Sequence, residues 1–137
     1  MVPWLWKLPP TDRRHYPLYA ACVDLGIPIC TRVGHTGPLR PSGTGRPIPY
    51  IDQVALDCPE LTIVSDHIGY PWTTEMIAVA DKHPHVSIDT SAFAAHRYPA
   101  ELVDHMKGRG ARKVLFGLDD QHRDLFLTGN ARRLFRL

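Results

Sequence analysis

Short β-type runs alternate with helical patterns four times along this chain, and that alternation constrains its fold more than any other feature. Tyr16 to Leu25 places Leu18, Cys22 and Leu25 at i, i+4 and i+7 and stops at Gly26, which predicts a helix closed by a glycine C-cap. Ile27, Ile29, Thr31 and Val33 then alternate across a β-type run. Ile51 to Leu56 reads as a short helix ended by Pro59, Leu61 to Ser65 as a second strand, and Trp72 to Asp81 as a helix with Trp72, Met76, Val79 and Ala80 on one stripe. Val86 to Asp89 makes a third strand, Pro99 to Lys107 a helix closed by Gly108, and Lys113 to Phe116 a fourth strand. The segment Asp119 to Leu137 reads as two short helices joined near Gly129. Strands linked through helices are parallel, because parallel neighbours cannot be joined by a tight hairpin. The expected fold is an α/β domain over residues 1–137 with parallel strands in about four βα units.

Parallel α/β folds gather their chemistry on the loops beyond the C-terminal strand ends. Here the first strand runs into Gly34-His35, the second into Asp66-His67, the third contains Asp89, and the fourth leads to Gly117 and Asp119-Asp120. Imidazole and carboxylate are ligands that suit Zn²⁺ or a similar divalent ion. His35 and His67 stand out because each follows a strand and is flanked by glycine, which permits close approach of backbone to a ligand. His15, His83, His85, His96, His105 and His122 fall on helix or loop positions and read as structural or exposed. Asp89, followed by Thr90 and Ser91, reads as the start of a local side-chain to backbone turn.

Between Gly34 and Pro49, four prolines and four glycines mark one long loop, of a length more often functional than merely connecting. Arg40 and Arg46 in that loop are candidates to hold a substrate carboxylate through their planar forks. Trp72 reads either as a pocket wall or as a helix-start side chain packed on the sheet, the second being the commoner use.

Composition excludes several classes. Sixteen basic against fourteen acidic residues leave a net charge of +2, too even to propose a nucleic-acid partner. No run approaches the ~20 apolar residues needed to cross a bilayer, and the apolar start at Trp4-Leu5-Trp6 is interrupted by Lys7. Cys22, Cys30 and Cys58 are odd in number and contain no CxxC pair, which fits a reducing cytoplasm better than a disulfide framework. No glycine-rich phosphate loop follows any strand, which argues against a flavodoxin-like binding module.

Five runs, in order, resemble the amidohydrolase-related (amidohydrolase 2) family: Val33-Gly34-His35-Thr36-Gly37-Pro38; Leu61-Thr62-Ile63-Val64 with Asp66-His67-Ile68-Gly69-Tyr70-Pro71-Trp72; Ile88-Asp89-Thr90-Ser91-Ala92; Lys113-Val114-Leu115-Phe116-Gly117; and Gly129-Asn130-Ala131-Arg132-Arg133-Leu134-Phe135. The resemblance implies a metal-dependent (β/α)₈ (TIM) barrel enzyme that hydrolyses C–O or C–N bonds or decarboxylates aromatic and unsaturated acids. The substrate would then be a small carboxylic acid, lactone or amide, and the metal zinc or manganese. It makes His35 the metal ligand after the barrel's fifth strand, and His67 the histidine after the sixth that positions or protonates substrate and activates water.

Two departures accompany the likeness. The family's first-strand H-x-H or E-x-H pair, which supplies two metal ligands, is missing ahead of the matching runs; the one H-x-H in the sequence, His83-Pro84-His85, falls between a helix and the third strand. A full barrel takes ~250 residues, so this chain is expected to be a partial barrel needing a complementing half or a homo-oligomer. At the eighth strand, Leu118-Asp119-Asp120 replaces the usual Ser or Thr, acid and Pro. Asp119 is therefore either the metal-site carboxylate or a helix N-cap that follows an internal deletion. The competing expectation is a catalytically inactive, self-associating half-barrel remnant.

Overall fold

The computed structural model describes residues 1–37, 39–115 and 129–136. Strands β1 (Ile29–Arg32), β2 (Ile63–Asp66), β3 (Val86–Asp89) and β4 (Val114–Leu115) form one parallel sheet in the order β1-β2-β3-β4. Helices α1 (Tyr16–Leu25), α2 (Pro47–Asp57), α3 (Thr73–Lys82) and α4 (Ala100–Lys107) precede β1, β2, β3 and β4 in turn, and α5 (Asn130–Phe135) follows β4. Each crossover advances the sheet by one strand, the winding of a barrel rather than of an open sheet that reverses direction.

Register decides which face of the sheet is core. Ile29, Ile63 and Val86 lie level across three strands, and Thr31, Ser65, Ile88 and Val114 form the next row on the same face. The apolar members of these rows join Tyr19 and Cys22 of α1, Ile51 and Val54 of α2, Met76 and Val79 of α3, and Leu102 of α4 in one buried cluster. Each such side chain removed from water contributes roughly 1.5–3 kcal/mol. Because successive side chains alternate between faces, Cys30, Val64 and Ser87 point the other way. So do Arg32, Asp66 and Asp89, the last residues of their strands.

Several boundaries differ from the sequence reading, each for a local reason. β1 begins at Ile29 rather than Ile27, because the Ile27 N–H donates to Cys22 O at 2.9 Å as part of the α1 C-cap and Pro28 has no N–H. That cap has the expected form, with Gly26 at φ 62°. α2 spans Pro47–Asp57 rather than starting at Ile51, with a kink at Ile48 (φ −103°, ψ 126°) after which Pro49 fits the first turn of the continuous helix, where its missing N–H would have had no intrahelical partner. Of the expected strand Lys113–Phe116, β4 holds Val114 and Leu115, and Phe116 lies outside the described residues. Of the two expected terminal helices, α5 is the second, and the first lies outside the described residues.

Polar ties close the assembly. Asn130, buried at the start of α5, donates from Nδ2 to Ala111 O (3.0 Å) and Val114 O (2.8 Å) and so docks α5 on β4. Lys113 Nζ donates to the carbonyls of His83 (2.8 Å), Pro84 (2.7 Å) and Val86 (3.2 Å) at the entrance to β3. Burial lowers the Lys113 pKa, yet the three acceptors hold the ammonium in place. Lys113→Met keeps the stem and removes the donor; it is expected to cost about 1.5 kcal/mol, read as a lower urea midpoint at unchanged slope. At the outer edge of β1 the Met1 amino group donates to Cys30 O, and Met1 O accepts from Arg32 N at 3.0 Å. Among the described residues no helix is long and apolar enough to cross a membrane.

Candidate active site

The loops beyond β1 and β2 are clipped together through their backbones. Gly34 N–H donates to Gly45 O and His35 N–H donates to Tyr70 O, both at 2.7 Å. The first bond folds the long loop back on its own start; the second ties it to the loop after β2. Within the long loop, Thr36 Oγ1 donates to Arg40 O at 3.0 Å while Thr36 N–H donates to Ser42 Oγ at 3.0 Å.

This frame presents the His35 ring with its Nδ1 2.7 Å from Thr36 O. A carbonyl can only accept, so Nδ1 carries a proton, and in the neutral ring Nε2 keeps the lone pair. A histidine that ligates a metal commonly donates its other ring N–H to a carbonyl in this way.

His67 is arranged in the opposite sense. Arg32 Nε donates to His67 Nδ1 at 3.1 Å, so that nitrogen is the acceptor and the proton of the neutral ring sits on Nε2. Burial and the Arg32 guanidinium both lower the His67 pKa. The ring leaves a strained backbone: His67 (φ 67°), Ile68 (φ 52°) and Gly69 (φ 71°) occupy the left-handed region in succession. For a β-branched residue such as Ile68 this conformation is an outlier, of a kind that persists where surrounding structure over-determines it. Ile68 is fully buried in the core cluster, which supplies that determination.

Beneath the two histidines, Asp66 and Asp89 repel one another. Burial first and the Asp89 charge second raise the Asp66 pKa to about 6. Asp89 also makes the local turn expected of it, accepting from Ser91 N at 3.3 Å and from the Ser91 hydroxyl.

Arg32, His35, His67, Tyr70, Phe93 and Arg97 line a cavity of about 580 Å³ at the C-terminal end of the sheet, within the range of small-molecule sites. Tyr70 stands edge-on to His35 with ring centroids 5.8 Å apart and packs against Phe93 at 5.7 Å, giving the cavity an aromatic wall.

The structure thus brings His35 and His67 together. Arg40 and Arg46 are exposed and are not lining residues of this cavity. Arg46 holds Glu75 through Nε (2.9 Å) and Nη2 (2.5 Å) and lies over the Trp72 ring, at 6.0 Å from its centroid. Trp72 is likewise not a lining residue of this cavity. His83 and His105 are buried structural residues, His83 bound to Asp52 at 2.7 Å. Asp119, Asp120 and His122 lie outside the described residues.

Sequence reasoning missed Arg32, Tyr70, Phe93 and Arg97. For Arg32 a signal existed: a charged residue closing an otherwise apolar parallel strand, on the same strand face as Asp66. No group of three or more His, Cys, Asp or Glu side chains able to hold a metal occurs among the described residues.

Parallel βα units with a cavity at the strand C-termini define a barrel-type scaffold. The amidohydrolase family profile matches residues 2–119, and the chain belongs to that family. Solved structures resemble it, among them these three. An uncharacterised TIM-barrel protein from Bordetella bronchiseptica is 30% identical, with a TM-score of 0.78 over 94% of this chain and 52% of its own. Amidohydrolase 2 from Bifidobacterium longum subsp. infantis is 18% identical, with a TM-score of 0.58 over 93% of this chain and 57% of its own. 4-Oxalomesaconate hydratase from Rhodopseudomonas palustris is 21% identical, with a TM-score of 0.58 over 99% of this chain and 55% of its own. The last two likenesses speak for the fold alone. The chain spans about half the length of each of these structures. No curated protein matches it.

Proposed function

We propose that this chain carries half of the active site of a metal-dependent hydrolase or carbon–oxygen or carboxy-lyase acting on a small carboxylic acid, lactone or amide. The observation that carries this reading is the pair of opposite ring tautomers in one cavity: His35 with a lone pair on Nε2, His67 with a proton there. A lone pair suits a cation, and an N–H suits a developing oxyanion or a leaving group.

The donor chemistry of His35 fits a divalent ion such as zinc, with manganese the alternative. A catalytic zinc site takes three protein ligands. His35 supplies one, Asp119 is the candidate carboxylate within this chain, and the rest would come from a complementing half-barrel or a second copy. Such an ion, when bound, polarises a carbonyl and lowers the pKa of bound water. The residues of this chain do the remaining work: His67 orients and protonates, Tyr70 and Phe93 present an apolar wall to an unsaturated or aromatic body, and Arg97 offers a guanidinium to a carboxylate. Arg40 could join Arg97 only if the long loop moved inward, and Arg46 only by leaving Glu75. The three free cysteines fit a reducing compartment, the cytoplasm.

A second reading, a non-catalytic half-barrel that self-associates, is favoured by the exposed Leu5, Trp6, Leu18 and Leu25. Metal content of the purified chain, measured beside His35→Ala and a sizing column, separates the two. Near-stoichiometric zinc or manganese in the wild type that falls to background in His35→Ala is the expected result. A folded chain with no metal above background would overturn the enzymatic reading and leave the second one.

A further inference from the structure

Two histidines share the cavity, and one arginine distinguishes them. Arg32 is the last residue of β1 and lies beside Asp66 in the parallel register, on the sheet face turned away from the helices. His67 follows Asp66 and enters a left-handed turn at φ 67°, which leaves its ring within reach of the Arg32 side chain, with Nε 3.1 Å from Nδ1. An arginine Nε–H has no acceptor form, so this bond admits only one tautomer of the neutral ring. We infer that Arg32 is a positioning residue whose Nε–H locks His67 as the Nε2–H tautomer, making His67 a proton donor to the cavity and leaving it no free lone pair for a cation. The inference rests on the reading of this cavity as the reaction site only for its consequence, not for the contact itself.

The surroundings make the lock necessary. Asp89 acts on His67 through its charge in the direction that favours a protonated ring, whereas Arg32 and His35 oppose it. Without the Arg32 donor, Nδ1 would be open to a proton, to water or to a cation, and the ring could turn about its side-chain bonds. His35 has a backbone carbonyl at Nδ1 where His67 has a guanidinium, and this single difference reverses whether the Nε2 left to the cavity carries a lone pair or a proton. Division of labour between the two rings is then set by their partners, since the imidazoles themselves are identical.

The test is long-range ¹H–¹⁵N correlation of the imidazole nitrogens in the ¹⁵N-labelled full chain, at a pH where the ring is neutral. The His67 signals are assigned by their loss in His67→Gln. The wild type is expected to show Nδ1 at an unprotonated position and Nε2 at a protonated one, and Arg32→Met to move both toward averaged values as the second tautomer becomes populated. A protonated Nδ1 in the wild type overturns the inference, and this outcome needs no variant to fold. Unchanged His67 shifts in a folded Arg32→Met chain overturn it equally. Neither turnover nor bound metal enters the readout, so a chain that binds no metal but shows the tautomer lock would sink the enzymatic reading and leave this one standing.

Discussion

Gly34→Ala is expected to destabilise the chain by about 4 kcal/mol, among the largest losses a single substitution produces. Gly34 has φ 96°, a region L side chains rarely adopt. A Cβ built there would stand 2.4 Å from Tyr70 O and 3.0 Å from Gly69 C. Both are backbone atoms, so no rotamer change relieves the contact. The Tyr70 carbonyl is the acceptor for His35 N–H, and the added methyl would drive apart the two loops that this bond joins. Local strain of about 1–3 kcal/mol then adds to the lost hydrogen bond and the steric displacement. Gly37 supplies the control: a methyl group added there would meet nothing within 4 Å, and Gly37→Ala should fall within about 0.5 kcal/mol of wild type. Urea unfolding of the three chains, followed by circular dichroism, gives the comparison. A Gly34→Ala midpoint equal to that of Gly37→Ala would show that the loops are not clipped as described.

Asp66 is expected to withdraw stability as pH rises from about 4 to about 6, so the stability of Asp66→Asn relative to wild type should increase across that range. The sign follows from the raised carboxyl: its pKa is 3.8 when unperturbed and about 6 in the folded chain. Between these values the folded state holds the proton more tightly than the unfolded state, so the contribution of Asp66 to stability decreases with pH. The penalty is absent below the lower value and complete above the higher one. At ~1.36 kcal/mol per unit, the shift corresponds to an upper bound of about 3 kcal/mol; partial solvent access reduces this to about 2. Asp66→Asn should therefore be about 2 kcal/mol more stable than wild type at pH 7 and no more stable at pH 4. Unfolding midpoints across that range test it. Parallel curves for the two chains would mean that Asp66 is not the group that titrates. A buried carboxyl poised near neutrality beside Asp89 is also the electrostatic setting in which acid–base groups are tuned.

Much of the scaffold was legible in the residues. The helices at Tyr16, Trp72 and Pro99 and the strands at Leu61 and Val86 were readable because an amphipathic helix and a buried parallel strand impose different periods on apolar side chains. Boundaries failed where a backbone group had a competing use, as with the Ile27 N–H drawn into the α1 cap, or where prolines served a helix start instead of a loop. The site divides in the same way. His35 and His67, which line the cavity, stood out because glycine beside a strand end is a local signal. Arg97 and Phe93 did not, because nothing local marks a loop residue that becomes a cavity wall only when β3 lies beside β2.

By itself, then, the sequence determined the element types, the parallel order, the family and the two histidines, all of which depend on spacing along the chain. Tertiary structure alone decided which nitrogen of each neutral histidine carries the proton, because Thr36 O meets His35 only in the folded loop and Arg32 meets His67 only once β1 and β2 pair. It also decided that Asp66 holds its proton toward neutrality, since only the folded chain buries that carboxyl and, once β2 and β3 pair, sets it against the charge of Asp89, far away in sequence.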